Sequence, residues 1–248
     1  MLELKHICLS VSDENSENEK KGILNDVSLK VEDGKFIVIT GPNGGGKSTL
    51  AKVIAGIMQP DSGQILLDGE DITNMSITER AQRGISYAFQ QPVRFKGITV
   101  RDLINLAAHR EISDCEACGY LKQVGLCAKD YIDREVNGSL SGGEIKRIEI
   151  ATVMARQTKL SIFDEPEAGI DLWSFNNLID VFYSMREENR GSMIISHQER
   201  ILDIADEIIV IADGKVIAKG SKDDVLPELL REDCKYCVGG KGDRLVVC

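Results

Sequence analysis

The sequence predicts an α/β protein built around a parallel sheet. Three short, mostly apolar runs, 36–40, 160–163 and 193–196, have the hydrophobicity of strands that are covered on both faces, and the first of them is also rich in β-branched residues. Segments with the helical spacing of apolar residues lie between these runs. Because strands alternate with helices, the expected architecture is a sheet whose neighbouring strands are connected by helices.

The length and charge exclude several classes of protein. The 248 residues are 42% hydrophobic, and a chain of this length can bury a substantial core. The 30 basic and 40 acidic side chains give a formal charge of -10. This balance argues against a surface built mainly to bind nucleic acid or anionic lipid.

The apolar runs and the cysteines indicate a cellular compartment. No apolar run approaches the roughly 18 residues of a membrane-spanning helix, and residues 1–10 lack the pattern of a signal peptide. We therefore expect a cytoplasmic protein without direct membrane insertion. Seven cysteines in a reducing compartment favour free thiols, metal ligands or buried apolar side chains over a disulfide framework.

Apolar periodicity and turn residues predict the remaining elements. The first third of the chain is rich in strands, and the region between residues 90 and 159 is mostly helical, which we interpret as an insertion. In chain order, strands are expected at 2–11, 23–31 and 64–71, helices at 50–58 and 172–185, and a hairpin at 208–220 with Asp213 and Gly214 at its turn.

A phosphate-binding loop follows the predicted strand 36–40. Residues 41–48 read GPNGGGKS and match the pattern G-x-x-x-x-G-K-[ST], with a strand before it and a helix after it. Glycines allow backbone N–H groups to surround phosphate oxygens, and the following helix directs its positive N-terminus at the anion. The candidate nucleotide-binding residues of this loop are Gly41, Pro42, Asn43, Gly44, Gly45, Gly46, Lys47, Ser48 and Thr49.

Two acidic residues follow the second buried strand. Asp164 is placed to hold Mg²⁺, together with the hydroxyl of Ser48. Glu165 is the natural general base or water-orienting group for an attack on a phosphate. A strand that merely ends in a turn is the alternative, which the neighbouring phosphate loop disfavours.

A second anion-binding helix start is predicted at residues 140–144, which read LSGGE. Ser141, Gly142 and Gly143 open a helical stretch, and a helix N-terminus attracts anions. The chain already has a phosphate loop, so the simplest role for this second site is to contact the nucleotide of another copy. A helix cap with a flexible entrance is the alternative.

These motifs together resemble those of the ABC-type ATPases over about residues 1–222. The resemblance implies a P-loop ABC ATPase core with an N-terminal antiparallel β subdomain and an inserted helical subdomain. It implies an enzyme that binds ATP and Mg²⁺, hydrolyses ATP and forms a homodimer when ATP binds. The implied division of the single domain 1–248 is a core with the β subdomain at 1–89 and 160–222, a helical subdomain at 90–159 and a cysteine-containing extension at 223–248.

The resemblance also assigns roles to individual residues. Gln90 corresponds to the glutamine that contacts Mg²⁺ and the attacking water, and His197 to the switch histidine at the γ-phosphate. Ser141 and Gly143 correspond to residues that close on the γ-phosphate of the other copy. The implied set is catalytic Glu165, His197 and Gln90, the Mg²⁺ ligands Ser48, Gln90 and Asp164, and nucleotide contacts from the phosphate loop, from Ser141, Gly142 and Gly143, and from Asp171 in the D-loop.

Departures from the transporter pattern favour one branch of the family. Between Leu9 and Val38 the only aromatic residue is Phe36, which belongs to a buried strand, so the usual aromatic that stacks on adenine is not expected. The segments 164–171 (DEPEAGID) and 196–202 (SHQERIL) look like the SufC branch, the soluble ATPase of iron–sulfur cluster assembly. This implies a soluble SufB/SufD-like scaffold as partner and no nucleic acid. The alternative is the nucleotide-binding subunit of a transporter, with a membrane permease as partner.

The cysteines leave two interpretations open. Cys115 and Cys118 form one CxxC pair, and Cys234 and Cys237 form another, with Cys248 nearby in sequence. Such pairs bind zinc or iron in other proteins, whereas free thiols are the alternative. The remaining Cys8 and Cys127 lie in apolar patterns and are expected in the core.

Overall fold

In the computed structural model, which describes residues 1–12, 20–188 and 190–231, the strands form two sheets. The strands are β1 (Leu2–Ser12), β2 (Lys20–Val31), β3 (Phe36–Thr40), β4 (Ser62–Leu67), β5 (Glu70–Asp71), β6 (Ile85–Ala88), β7 (Leu160–Asp164), β8 (Gly191–Ile195), β9 (Glu207–Ala212) and β10 (Lys215–Gly220).

The larger sheet is mostly parallel. Its six strands have the order β10-β9-β3-β8-β7-β6, and only β10 runs antiparallel to its neighbour. Every residue of β3, β7 and β8 is buried, as the continuous apolar runs predicted. Because parallel strands end at the same edge, the segments that follow β3, β8, β7 and β6 are neighbours in space.

The smaller sheet is antiparallel and has the order β2-β1-β4-β5. It packs on one face of the larger sheet. The larger sheet therefore has a separate hydrophobic core on each face, and alternate residues of β3 point into each. Ile37 and Ile39 belong to the core shared with Leu4 and Leu24 of the smaller sheet, whereas Phe36 and Val38 belong to the core shared with the helices. The predicted fold, an α/β core with an N-terminal antiparallel sheet and inserted helices, is confirmed.

The helices connect the strands and cover the second core. They are α1 (Lys47–Ala55), α2 (Ile77–Gln82), α3 (Val100–Ala108), α4 (Asp114–Gln123), α5 (Ala128–Tyr131), α6 (Gly142–Arg156), α7 (Leu172–Glu187), α8 (Glu199–Asp203) and α9 (Lys222–Arg231). Between β6 and β7 the chain forms α3 to α6. The boundaries proposed above for the subdomains stay a prediction.

Several helices begin with reciprocal capping. Ser76, Thr99, Ser113 and Ser141 each accept from the backbone N–H three residues later, and a carboxylate at that later position binds back. The helix predicted at 50–58 instead begins at Lys47 and ends at Ala55. The glycine-rich loop therefore leads directly into the first helical turn, which leaves the N–H groups of that turn free for an anion.

The sequence patterns missed four elements and misplaced one cysteine. The strand β6 and the helices α2, α8 and α9 were not predicted. β6, α2 and α8 have only 4, 6 and 5 residues, which is too short to show a clear period, and α9 contains Pro227, a residue that usually interrupts a helix. The prediction of Cys127 as a core residue is wrong, since this side chain is exposed at the residue that precedes α5. Cys8 is half-buried. Within the three described ranges, no helix is long and apolar enough to cross a membrane.

Candidate active site

The phosphate loop connects β3 to α1 and depends on glycine at crowded positions. Gly41 has φ +131°, and a Cβ atom there would lie 2.1 Å from the carbonyl oxygen of Ile211 in β9. Gly46 has φ +102°, and its Cβ would lie 2.9 Å from the carbonyl oxygen of Ile23. Larger residues would displace the loop from both neighbours, because L-residues rarely adopt this conformation and the space is filled.

Lys47 is buried at the base of this loop. Its ammonium donates to the carbonyl oxygens of Gly41 at 2.7 Å and Pro42 at 2.9 Å. Burial lowers the pKa of Lys47, and the nearby carboxylates of Glu165 and Asp164 oppose that shift. The loop, with Ile23 and Glu165, lines a cavity of about 250 Å³. A buried cation beside helical N–H groups makes this cavity suited to an anionic ligand.

Asp164 ends β7 and is almost completely buried, with 1% of its surface exposed. Ser48 donates its hydroxyl to Oδ1 of Asp164 at 2.8 Å. The hydroxyl of Tyr87 donates to Oδ2 at 2.8 Å. Burial, and next the negative charge of Asp164, raise the pKa of Tyr87, so the phenol stays protonated as a donor. Tyr87 lies on β6, which the sequence did not predict, and its contact was therefore missed.

Glu165 follows β7 directly and adopts φ +46°, a conformation that is uncommon outside glycine. Its backbone N–H donates to the carbonyl of Ile195 at 3.0 Å, which fixes the turn against β8. The side-chain amide of Gln90 donates to Oε2 of Glu165 at 2.6 Å. The structure thus brings together two residues that lie 75 positions apart in sequence.

His197 follows β8 at the same edge of the sheet. Its Nδ1 lies 3.4 Å from the hydroxyl oxygen of Thr40, the last residue of β3. Loss of hydration, and next the positive charge of Lys47, lower the pKa of His197 below 6.5. The imidazole is therefore mainly neutral at pH 7.

A half-buried carboxylate that was not predicted as a site residue, Glu167, lies two positions after Glu165. Glu167 accepts a hydrogen bond from the hydroxyl of Ser196 at 2.6 Å. Burial raises the pKa of Glu167, and its Oε2 is buried without a hydrogen-bond partner in the structure. The only sequence signal for Glu167 is that it is a charged residue three positions after the end of the apolar strand β7.

The predicted second anion site forms the start of α6. Ser141 caps the helix and its N–H donates to Oε2 of Glu144 at 2.7 Å. Hydrogen bonds, first from Tyr131 and then from Ser141, lower the pKa of Glu144 to about 2. A Cβ on Gly143 would lie 2.8 Å from the carbonyl oxygen of Gly169, so glycine lets α6 approach the D-loop.

Asp171 acts as the N-terminal cap of α7. Its Oδ1 accepts from the backbone N–H groups of Trp173 and Ser174, both at 3.0 Å, and Ser174 also donates its hydroxyl to Oδ2 at 2.7 Å. Within this single chain, Ser141 and Asp171 therefore organise the starts of two helices, whereas the phosphate loop, Asp164, Glu165, Gln90 and His197 share one edge of the sheet.

The described cysteines do not form a metal site. Cys115 and Cys118 are exposed on α4. In the part of the chain that the structure describes, no group of three or more His, Cys, Asp or Glu side chains is arranged to hold a metal ion. Cys234, Cys237 and Cys248 lie outside the described residues.

An apolar groove begins beside Gln90. It has a volume of about 210 Å³ and runs between β6, the segment after it, α3 and α6. Phe89, Val93, Phe95, Leu103 and Ile145 contribute much of its apolar lining. Val93 and Phe95 are exposed, although both are large apolar side chains.

Comparison with known proteins gives consistent results in sequence and structure. The sequence matches the ABC transporter family over residues 24–168. It is 38% identical over 237 residues to an uncharacterised ABC transporter ATP-binding protein, MJ0035, of Methanocaldococcus jannaschii, covering 92% of this chain and 94% of that protein. It is 33% identical to the lipopolysaccharide export system ATP-binding protein LptB of Haemophilus influenzae, covering 84% and 88%.

A solved structure agrees in fold. The dimeric post-hydrolysis state of the ATP-binding cassette MJ0796, bound to ADP and Pi, superposes with a TM-score of 0.80 at 21% identity. The match covers 90% of this chain and 99% of that chain. At this identity the likeness concerns the fold.

Proposed function

Since the chain belongs to the ABC transporter family and is an ATP-hydrolysing ABC ATPase, we propose that it is the ATPase subunit of a SufC-type machinery for iron–sulfur cluster assembly. In this proposal ATP binding closes a homodimer. Closure then drives a conformational change of a soluble scaffold similar to SufB and SufD. The proposed location is the cytoplasm.

The observation that carries the catalytic part is the hydrogen bond from Gln90 to Glu165 beside the loop cavity. Glu165 lines the cavity around Lys47, so a water next to the terminal phosphate of a nucleotide bound there would lie within reach of its carboxylate. Gln90 orients this carboxylate through the 2.6 Å contact. His197, neutral at pH 7, is assigned to a hydrogen bond with the γ-phosphate from the neighbouring strand end.

The oxygen donors near the loop fit Mg²⁺. The hydroxyl of Ser48 and the carboxylate of Asp164 lie 2.8 Å apart, and Mg²⁺ prefers such hard oxygen ligands. Ser48, Asp164 and the side-chain carbonyl of Gln90 would hold the ion. When bound, Mg²⁺ neutralises charge on the phosphate oxygens.

The proposed homodimer gives a role to the N-terminus of α6. Ser141, Gly142 and Gly143 stand at the positive end of α6 but organise only their own helix in the single chain. In a head-to-tail pair each such start faces the phosphate loop of the other copy, and the two sites are equivalent by symmetry. The dimeric MJ0796 cassette has the same fold. Asp171 would lie at the junction of the two copies.

Two partners are compatible with this chemistry. The resemblance of residues 164–171 and 196–202 to SufC supports the soluble scaffold. The similarity to LptB, the ATP-binding protein of a lipopolysaccharide export system, supports the alternative of a transporter subunit with a membrane permease. In either case the groove beside Gln90 is the proposed docking surface, because a partner there contacts the segment that carries a catalytic side chain.

Purification from cells with the native partner separates the two proposals. The tagged full chain is isolated from the soluble and the detergent-extracted membrane fractions, and partners are identified by mass spectrometry. A soluble partner rich in β-structure that carries iron and sulfide in stoichiometric amounts would support the scaffold. An integral membrane protein as the stoichiometric partner would replace that proposal by the transporter.

A further inference from the structure

Two oppositely charged side chains of α6 are largely shielded from solvent, Lys146 completely and Glu149 for the most part. Lys146 is 0% exposed and Glu149, one helical turn later, is 16% exposed. The Nζ atom of Lys146 lies 3.4 Å from Oε2 of Glu149. Neither residue belongs to the nucleotide-binding motifs, and neither was singled out from the sequence.

Both charges bind the backbone of Phe89. The ammonium of Lys146 donates to the carbonyl oxygen of Phe89. The N–H of Phe89 donates to Oε1 of Glu149 at 2.9 Å. Phe89 lies just past the end of β6, so these bonds take the place of the sheet partners that a strand residue would have. The carbonyl that Lys146 holds belongs to the peptide bond that leads to Gln90.

We propose that Lys146 and Glu149 are positioning residues, which fix the backbone at Phe89 and thereby hold Gln90 in contact with Glu165. The connection runs from α6 through the Phe89 backbone to the 2.6 Å hydrogen bond between Gln90 and Glu165. This inference rests on the role proposed above for Gln90. It adds that the helix that starts at Ser141 sets the geometry of the hydrolytic centre in its own chain.

Stability alone does not explain a charged pair at this place. A buried ion pair often contributes little, because the cost of removing two charges from water offsets their attraction, and apolar side chains of similar volume do as well. Here Oε2 of Glu149 has no hydrogen-bond partner in the structure beyond the ion-pair distance to Lys146. Burial also raises the pKa of Glu149, while Lys146 opposes that shift. The attraction between Lys146 and Glu149 therefore offsets only part of their desolvation cost. Charged side chains at these positions are better explained by the two hydrogen bonds that they make with the backbone of Phe89.

The pair also borders the apolar groove. Glu149 and Phe89 both line it, together with side chains of α3. An occupant of the groove would therefore touch the residues that hold Gln90. This gives a physical route by which partner binding changes hydrolysis without contacting nucleotide.

The test compares variants of the full chain in steady-state ATP hydrolysis, equilibrium ATP binding and thermal unfolding. Lys146→Met removes the donor and keeps an apolar side chain of similar length. Glu149→Gln removes the charge but keeps an oxygen that accepts from the Phe89 N–H, whereas Glu149→Leu removes both. Arg190→Met is the matched control, because Arg190 donates to the carbonyls of Val153 and Met154 at the other end of α6.

A positioning role predicts a selective loss of turnover. We expect Lys146→Met and Glu149→Leu to lower kcat about 10- to 100-fold, since small displacements of catalytic groups have effects of that size. The KM and Kd for ATP should change less than about twofold. Glu149→Gln should retain most of kcat, and Arg190→Met should retain it even where its Tm falls as much as that of Lys146→Met.

Three results would overturn the inference. These are an unchanged kcat in Lys146→Met, an equal kcat in Glu149→Gln and Glu149→Leu, or a loss in Arg190→Met that matches the loss in Lys146→Met at equal Tm. If Lys146→Met does not fold, the comparison of the two Glu149 variants decides alone. These assays use the isolated chain and ATP, and they do not depend on the partner. Failure to find a scaffold would therefore contradict the proposed function but not this inference.

Discussion

Replacing Glu165 by glutamine should separate ATP binding from ATP hydrolysis. The substitution keeps the size of the side chain and an oxygen that accepts the hydrogen bond now made by Gln90 at 2.6 Å. It removes the carboxylate that would take a proton from the attacking water. Loss of a positioned general base costs about 10²- to 10⁴-fold, so we expect kcat to fall at least about 100-fold.

The same change should not weaken nucleotide binding. The carboxylate of Glu165 lies at the wall of the cavity around Lys47, where it opposes the approach of an anionic polyphosphate. Its removal therefore leaves the affinity for ATP unchanged or higher. The loss of one charged hydrogen bond should cost about 1 kcal/mol of folding free energy, because a neutral bond replaces it.

The assay combines phosphate release, ATP binding and light scattering with and without ATP. Glu111→Gln serves as control, since Glu111 is an exposed carboxylate in the loop before α4. The purified Glu165→Gln chain should bind ATP, release little phosphate and accumulate as a dimer. Phosphate release at the rate of the control would refute the assignment of Glu165. An unchanged mass with ATP would refute self-closure of the isolated chain.

Three further predictions concern the phosphate loop, the apolar groove and the half-buried side chain of Glu167. Lys47→Ala should weaken ATP binding at least about 10-fold in equilibrium titration, because a buried charge at the phosphates is lost; unchanged affinity would contradict this. Charge reversal at Arg94 or Lys96, both exposed beside the groove, should reduce partner binding while basal hydrolysis remains; loss of ATP binding would show that the docking surface is misplaced. Glu167→Gln should raise Tm at pH 8 but not at pH 4. Burial raises the pKa of Glu167, so the wild type loses stability as the pH rises from 4.5 through the folded-state value; a Tm difference independent of pH would contradict this.

Sequence patterns correctly predicted the elements whose conformation is determined by a few consecutive residues. The strand 36–40 and the turn at Asp213 and Gly214 appear where the sequence placed them, because continuous apolar runs and turn residues act over a few positions. The phosphate loop was predictable for the same reason. Its backbone geometry depends on glycines that are contiguous in the chain.

The partners of the site residues could not be predicted in this way. Tyr87 binds Asp164 across 77 positions, and Ser196 binds Glu167 across 29. These pairs depend on the order of strands in the larger sheet, in which β7 lies between β6 and β8. Strand order is a property of the whole fold and leaves no periodic signal in the segments themselves.

The buried pair on α6 shows a second reason why sequence patterns fail. Lysine and glutamate three positions apart on a helix usually indicate a solvent-exposed ion pair. That expectation depends on one face of the helix being polar and exposed, yet α6 is enclosed on most of its circumference, with eight buried residues in fifteen. Its sequence therefore gives no amphipathic pattern that distinguishes an inner from an outer charge. Only the three-dimensional position of Phe89 shows that Lys146 and Glu149 face the segment of Gln90, and hence that their substitution should affect turnover before it affects ATP binding.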